Sequence, residues 1–200
     1  MSSEGYYDRE APAYDESRGG LLRATDATEA VARLVPPGRL LDVAGGTGIV
    51  SAVLAQRGFD VLVTDASLGM LNLAAARLPG RVLAAEATRL PVRDGSVDVV
   101  TTVWLLHLLP TVEADAVLAE AVRVLRPGGH LITTVDKRQA HGHAGAESDD
   151  AARVRRAAAR LGLMGAGSTT FTGPSAWGSA TDGDPVFPVL SLQRVSLSAC

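Results

Sequence analysis

Residues 40–58, LLDVAGGTGIVSAVLAQRG, constrain this chain more than any other stretch. Leu40, Leu41 and Val43 form a short apolar run suited to a buried parallel strand, and Gly45, Gly46 and Gly48 follow at once. Glycines at that point let the backbone turn tightly and approach a ligand with no Cβ in the way. Ile49, Val50, Val53 and Leu54 then recur at helical spacing, so the turn leads into a helix whose N-terminal amides face the ligand. A second strand, residues 59–64, ends in Asp65, whose carboxylate can accept hydrogen bonds from both hydroxyls of one ribose. Strand, glycine turn, helix, strand and terminal acid together describe a nucleoside site.

Dinucleotide enzymes begin in a similar way, and Gly46-Thr47-Gly48-Ile49-Val50-Ser51 comes close to G-x-G-x-x-G. Two further features separate the readings. Asp42 lies inside the first strand just before the turn, and Asp65 is followed by Ala66-Ser67-Leu68-Gly69-Met70-Leu71. Here the chain resembles the class I S-adenosylmethionine-dependent methyltransferases, of the small-molecule, methyltransferase-11-like type. Their first motif is an acid followed by G-x-G-x-G and their second reads D-x-S-x-x-M-L. Ala44 stands where a glycine is usual, as it does in the DVAGGTG form of quinone-biosynthesis C-methyltransferases. Glu86-Ala87-Thr88-Arg89-Leu90-Pro91 is similar to the family's D-A-x-x-L-P segment, with Glu in place of Asp. The stretches 94–100, 104–110 and 123–129 resemble its next three motifs, in the family's order, so the likeness covers residues 38–136.

The resemblance implies S-adenosylmethionine as cofactor and S-adenosylhomocysteine as product. It places Gly46 and Gly48 at the methionyl part, Asp65 at the ribose, Met70 or Ala66 against the adenine face and Glu86 at the adenine amino group, with Asp42, Ala44, Gly45, Ala87 and Thr88 also among the cofactor-binding residues. It also makes the N-terminal segment a lid, with Tyr14 and Arg18 at the methionine end and Tyr6 and Tyr7 facing the acceptor. A disordered leader is the plainer alternative for that segment. Methyl transfer needs a held geometry more than covalent help from the protein. A base is needed only where the acceptor must lose a proton, and His107, at the carboxyl edge of the fourth strand, is the candidate. Packing beside Trp104 is the alternative role for His107. Trp104, Asp136 and His141 are candidate acceptor contacts, and Trp177 and Phe171 candidate walls. A His141-Gly142-His143 pair without a placed acidic partner reads as an exposed loop, so no metal is expected.

Alternating strand and helix signals predict an α/β, Rossmann-like doubly wound seven-stranded sheet, mostly parallel with an antiparallel last strand. Strands are expected near 39–43, 60–64, 81–85, 97–103 and 130–135, then within 167–172 and 189–197. Helices are expected near 26–35, 48–57, 67–77, 112–125 and 149–161, with Pro36-Pro37-Gly38, Pro79-Gly80 and Pro127-Gly128-Gly129 punctuating helix ends. Residues 173–184 read as a loop. We expect one domain over 1–200: a lid segment over 1–25, a cofactor-binding core over 26–136 and an acceptor-side part over 137–200.

With 200 residues, 46% of them hydrophobic, the chain can bury a full core. A formal charge of −3 and the lack of a basic tail argue against nucleic acid as substrate, and Arg153-Val154-Arg155-Arg156 reads as a solvated helix face. No apolar run approaches membrane-spanning length, so a cytoplasmic protein, monomer or homodimer, with no membrane partner is expected. Cys200 offers neither a disulfide nor a nucleophile. The expected function is transfer of a methyl group to an O or N atom of a small-molecule acceptor, with secondary metabolism as a setting. C-methylation of a quinone-like acceptor stays open, as do a non-methylating protein that keeps the cofactor structurally and, remotely, a nicotinamide-dependent oxidoreductase.

Overall fold

The computed structural model describes residues 3–173 and 184–195. Helices α1 (Ser3–Glu10), α2 (Tyr14–Ser17) and α3 (Gly20–Leu34) precede β1 (Arg39–Val43), α4 (Ile49–Gln56), β2 (Asp60–Asp65), α5 (Leu68–Arg77) and β3 (Val82–Ala84). There follow β4 (Val97–Thr102), α6 (Thr111–Val124), β5 (Leu125–Thr134), α7 (Lys137–Ala140), α8 (Ala151–Arg160), β6 (Leu163–Thr172) and β7 (Val186–Arg194). The strands form one sheet in the order β3-β2-β1-β4-β5-β7-β6. β1 through β5 are parallel, while β7 runs antiparallel to both β5 and β6. The expected seven-stranded fold class is therefore the one observed.

Both faces of the sheet are covered, which is why β1 reads as a continuous apolar run and not an alternating one. Leu40 joins a core cluster with α3 and α4, whereas Leu41 and Val43 join the opposite cluster with α6 and α8. Ala24, Ala27, Ala30 and Val31 form the buried stripe of α3 and let that helix sit close to the sheet.

Several boundaries differ from expectation. Helix α3 begins at Gly20, six residues before the expected start, because Gly19 in the left-handed region (φ 87°) redirects the chain there. β5 begins at Leu125, so Pro127-Gly128-Gly129 lies within a strand and does not simply end a helix. In the pairing of β4 with β5, Val97 faces Leu125 while Val99 faces His130, so residues 126–129 bulge out of the ladder. Gly128 takes a positive φ of 78° at the bulge, and a Cβ on Gly129 would come within 2.9 Å of the Asp98 carbonyl oxygen. The last two strands start earlier than expected, at Leu163 and Val186. Trp177, Cys200 and most of the expected 173–184 loop lie outside the described residues.

Chain order reverses between β1 and β4, the point at which open α/β sheets bind ligands beyond the carboxyl ends of their strands. Three non-glycine residues have positive φ, and all of them stand at that edge among the described residues: Ala44 after β1 (56°), Trp104 after β4 (59°) and Asp136 after β5 (51°). Backbone strain in this protein is thus concentrated where β1, β4 and β5 leave the sheet.

Candidate active site

The glycine turn is built around Asp42. Its carboxylate is only 4% exposed and accepts hydrogen bonds from the Ser51 hydroxyl (2.5 Å) and the Thr101 hydroxyl (2.7 Å). Burial raises its pKa, and the two hydroxyls pull against that. A Cβ on Gly45 would come within 2.7 Å of an Asp42 carboxylate oxygen and 2.8 Å of Val63, so only glycine fits between strand and turn. Asp42 therefore braces the turn from inside.

Gly46 (φ 57°) faces the other way, and a Cβ there would meet nothing within 4 Å. Its N–H donates to Asp65 at 2.9 Å, and the Ser67 N–H donates to the other Asp65 oxygen, also at 2.9 Å. Both carboxylate oxygens thus take backbone donors, and the Ala66 amide adds to them. Burial raises the Asp65 pKa while these amides lower it. Glu86, Ala87 and Thr88 follow β3, which pairs with the end of β2 through Ala84 and Asp65; Glu86 and Thr88 are exposed. Met70 is buried under the N-terminus of α5 and Ala66 is exposed beside Asp65.

The N-terminal helices dock on this edge through acids that the sequence reading did not single out. Asp8 accepts from the Ser67 hydroxyl (2.5 Å) and the Gly69 N–H (2.8 Å), and these bonds lower its pKa. Asp15 accepts from the Thr47 hydroxyl (2.5 Å) and pairs with Arg77 (2.5 Å). A Cβ on Gly69 would come within 2.9 Å of the Asp8 backbone, so α1 lies directly on α5. The sequence signal was available, since Asp8 and Asp15 follow tyrosines in an otherwise polar leader.

An open cleft lies between these helices and the sheet edge. Its walls include Tyr7, Tyr14, Arg18, Arg23, Trp104 and Lys137, with Ile49 and Val50 from the start of α4. The Tyr7 and Tyr14 rings meet edge to face at 6.3 Å, and burial pushes the Tyr7 hydroxyl up to about 12. Tyr6 is exposed, with its ring 5.2 Å from that of Tyr7. Trp104 packs edge-on against Phe171 and Phe187, so Phe171 is a wall behind Trp104. Arg23 was missed. It is a charged residue within the alanine stripe of α3, and such an interruption is a legible sign of a buried cation with work to do.

His107, Asp136 and His141 do not line this cleft. His107 sits behind it, with Nε2 3.0 Å from the Lys137 ammonium. Burial and the charges of Lys137 and Arg138 push its pKa down to about 3, so it is neutral at physiological pH. Asp136 accepts from the Ala151 N–H at 3.1 Å, and exposed His141 lies with its ring 5.3 Å from Phe187.

Residues 41–133 match the family model described as a methyltransferase domain. Over that stretch, a little under half of its length, the chain is similar to the S-adenosylmethionine-dependent methyltransferases. Over 132 residues it is 39% identical to a demethylmenaquinone methyltransferase of Renibacterium salmoninarum, a match covering 63% of this chain and 55% of that protein. The chain thus spans little more than half the length of that curated relative. In fold it is similar to a methyltransferase from Thermotoga maritima described as a possible histamine N-methyltransferase, with TM-score 0.70 and 21% identity over 95% of this chain and 99% of that one. It is equally similar to the cyclase SpnF, with TM-score 0.71 and 19% identity over 96% of this chain and 94% of that one. At these identities the two structures speak for the fold alone. No helix among the described residues is long and apolar enough to cross a membrane.

Proposed function

We propose that this protein moves a methyl group from S-adenosylmethionine to an O or N atom of a small planar acceptor. The observation that carries the reading is the joint between the glycine turn and β2, where Gly46 N–H meets Asp65 at 2.9 Å beside open space. The residues present fit the cofactor. The Asp65 carboxylate suits ribose hydroxyls as an acceptor, and the face of Gly46 is clear for close approach. Arg18, whose Nε is buried with no hydrogen-bond partner among the described residues, suits a carboxylate at the methionine end. When bound, the cofactor supplies a methyl group already activated by a positively charged sulfur.

The protein's own part is to hold, orient and exclude water. Tyr7, Tyr14 and Trp104 give the cleft aromatic walls, and the Asp8 and Asp15 contacts tether the N-terminal helices beside it. With a pKa near 3, His107 is a weak proton acceptor, so an acceptor that arrives ionised suits the site better than one that needs a base. C-methylation of a quinone-like ring is the second reading, supported by the relative's name and by the Ala44 form of the turn. The family match runs from residue 41 to residue 133 and so includes none of Arg18, Arg23 and Lys137, which makes the acceptor this chain's own question.

Calorimetric titration of S-adenosylmethionine and S-adenosylhomocysteine into the wild type and Asp65→Ala tests the reading. Micromolar binding, weakened about 100-fold in the variant through lost hydroxyl contacts to a carboxylate, is expected. A folded wild type that ignores both ligands and takes up NADH would overturn it in favour of the oxidoreductase alternative.

A further inference from the structure

Three cations line the cleft, and the one carboxylate among its walls, Asp15, is held by the Thr47 hydroxyl and Arg77. Arg18, Arg23 and Lys137 all line it, and among the described residues none of them has a carboxylate within salt-bridge distance. Of the acids nearby, Asp15 holds Thr47 and Arg77 and Asp136 accepts the Ala151 N–H, while Asp149 accepts the backbone N–H of Lys137 at 2.9 Å through one oxygen, keeps the other buried without a partner among the described residues, and stands outside salt-bridge distance of the Lys137 ammonium.

Arg23 is the most demanding of the three. It is only 8% exposed, its guanidinium lies 3.9 Å above the Trp104 ring centroid and 4.9 Å from that of Phe187, and Nη1 donates to the Arg18 carbonyl oxygen at 3.1 Å. Among the described residues its Nε is buried with no hydrogen-bond partner, as are Arg18 Nε and the Trp104 indole N–H. Ring stacking offsets part of the cost of burying a cation, but it satisfies no N–H donor. Buried charges in folded proteins are paired, so this one is built for a partner that arrives with the ligand. Lys137 reaches the same space from the carboxyl end of β5, with its remaining contact a neutral imidazole.

We infer that Arg23 and Lys137 form an oxyanion site that selects planar aromatic acceptors carrying a negative charge, a carboxylate or an ionised phenol. This rests on the methyl-transfer reading for the word acceptor, with Arg18 assigned to the cofactor. The aromatic walls suit a ring, and the two cations fix which end of it enters. A neutral or cationic ring of the same shape leaves Arg23 unpaired and is rejected by that cost.

The test is calorimetry on the full chain with benzoate, 4-nitrophenolate and neutral benzamide, each with and without S-adenosylhomocysteine. Benzoate or 4-nitrophenolate should bind at least tenfold more tightly than benzamide, and the preference should vanish in Arg23→Met and in Lys137→Met. Which of the two anions binds better tells carboxylate from phenolate. Anions that bind no better than benzamide to wild-type protein overturn the proposal whether or not the variants fold. S-adenosylhomocysteine binding in the same titrations keeps the outcomes apart: its absence removes the methyltransferase reading, while the anion preference still decides the oxyanion site.

Discussion

The two halves of the ligand edge carry opposite charge. On the β1–β2 side, Asp8, Asp15, Asp42 and Asp65 each collect donors from backbone amides, hydroxyls or, for Asp15, an arginine. Opposite them, Arg23 from α3, stacked on Trp104 after β4, and Lys137 after β5 face the cleft, with the Arg23 Nε and the Trp104 indole N–H left without partners among the described residues. The acidic half is internally satisfied and its shape is set before any ligand arrives. The cationic half is complete only with an anion. A nucleoside needs a preformed cradle for neutral hydroxyls, whereas an acceptor needs a choice between partners, and an unpaired charge makes such a choice steep.

The largest effect should come from breaking the acidic half at its root. Asp42→Ala strands the Ser51 and Thr101 hydroxyls and removes the brace behind Gly45, so we expect a loss of about 3–5 kcal/mol in urea unfolding. Cofactor affinity should fall with it, because the turn that presents Gly46 to Asp65 hangs from the same carboxylate. An unchanged unfolding midpoint would show that the turn holds its shape without this buried acid, and the contrast between the halves would lose its physical basis.

The acidic half was also the legible one. Gly45, Gly46 and Gly48, Asp65 and the flanking apolar periods are local signals, and local geometry is what sequence spacing encodes. Asp42 was legible as present but not in its direction, since a strand residue points to one face or the other and the choice depends on Ser51 and Thr101. The bulge at 126–129 and the placing of β7 between β5 and β6 are long-range pairings that no local pattern states. Arg23 escaped for a related reason. The helix start was expected six residues too late, so its position on the buried stripe of α3 did not show.

The cationic half makes a pH prediction of intermediate size. Burial and the charges of Arg23 and Arg18 lower the Lys137 ammonium from an ordinary 10.5 to about 8, with Asp149 pulling weakly the other way. His107, Arg138 and His141 stand around it, and His107 stays neutral above about pH 3. A lowered amine pKa means that the folded, unliganded protein holds fewer protons than the unfolded chain between about pH 8 and 10.5, so Lys137 alone makes stability rise across that window. Anion binding has the opposite slope, because it needs the ammonium. Benzoate affinity should fall about tenfold from pH 7 to pH 9, and Lys137→Met should flatten the profile. A flat wild-type profile would remove Lys137 from the anion site and leave Arg23 alone.

The smallest prediction concerns strain, which the two halves share but use differently. Ala44 and Trp104 both hold positive φ, at 56° and 59°. The Trp104 ring earns its conformation through Arg23, Phe171 and Phe187, so Trp104→Gly relieves strain only by discarding that packing and should destabilise the fold. Ala44 offers only a methyl group in return. Ala44→Gly should therefore raise the unfolding free energy by about 0.5–1 kcal/mol, the left-handed cost of a Cβ less the extra freedom of glycine in the unfolded chain. Cofactor affinity should stay the same, since Gly46 and Asp65 make the contact across the turn. If Ala44→Gly instead weakens cofactor binding, the alanine is tuning the cradle, and strain at the acidic edge serves ligand geometry just as it does beside Trp104.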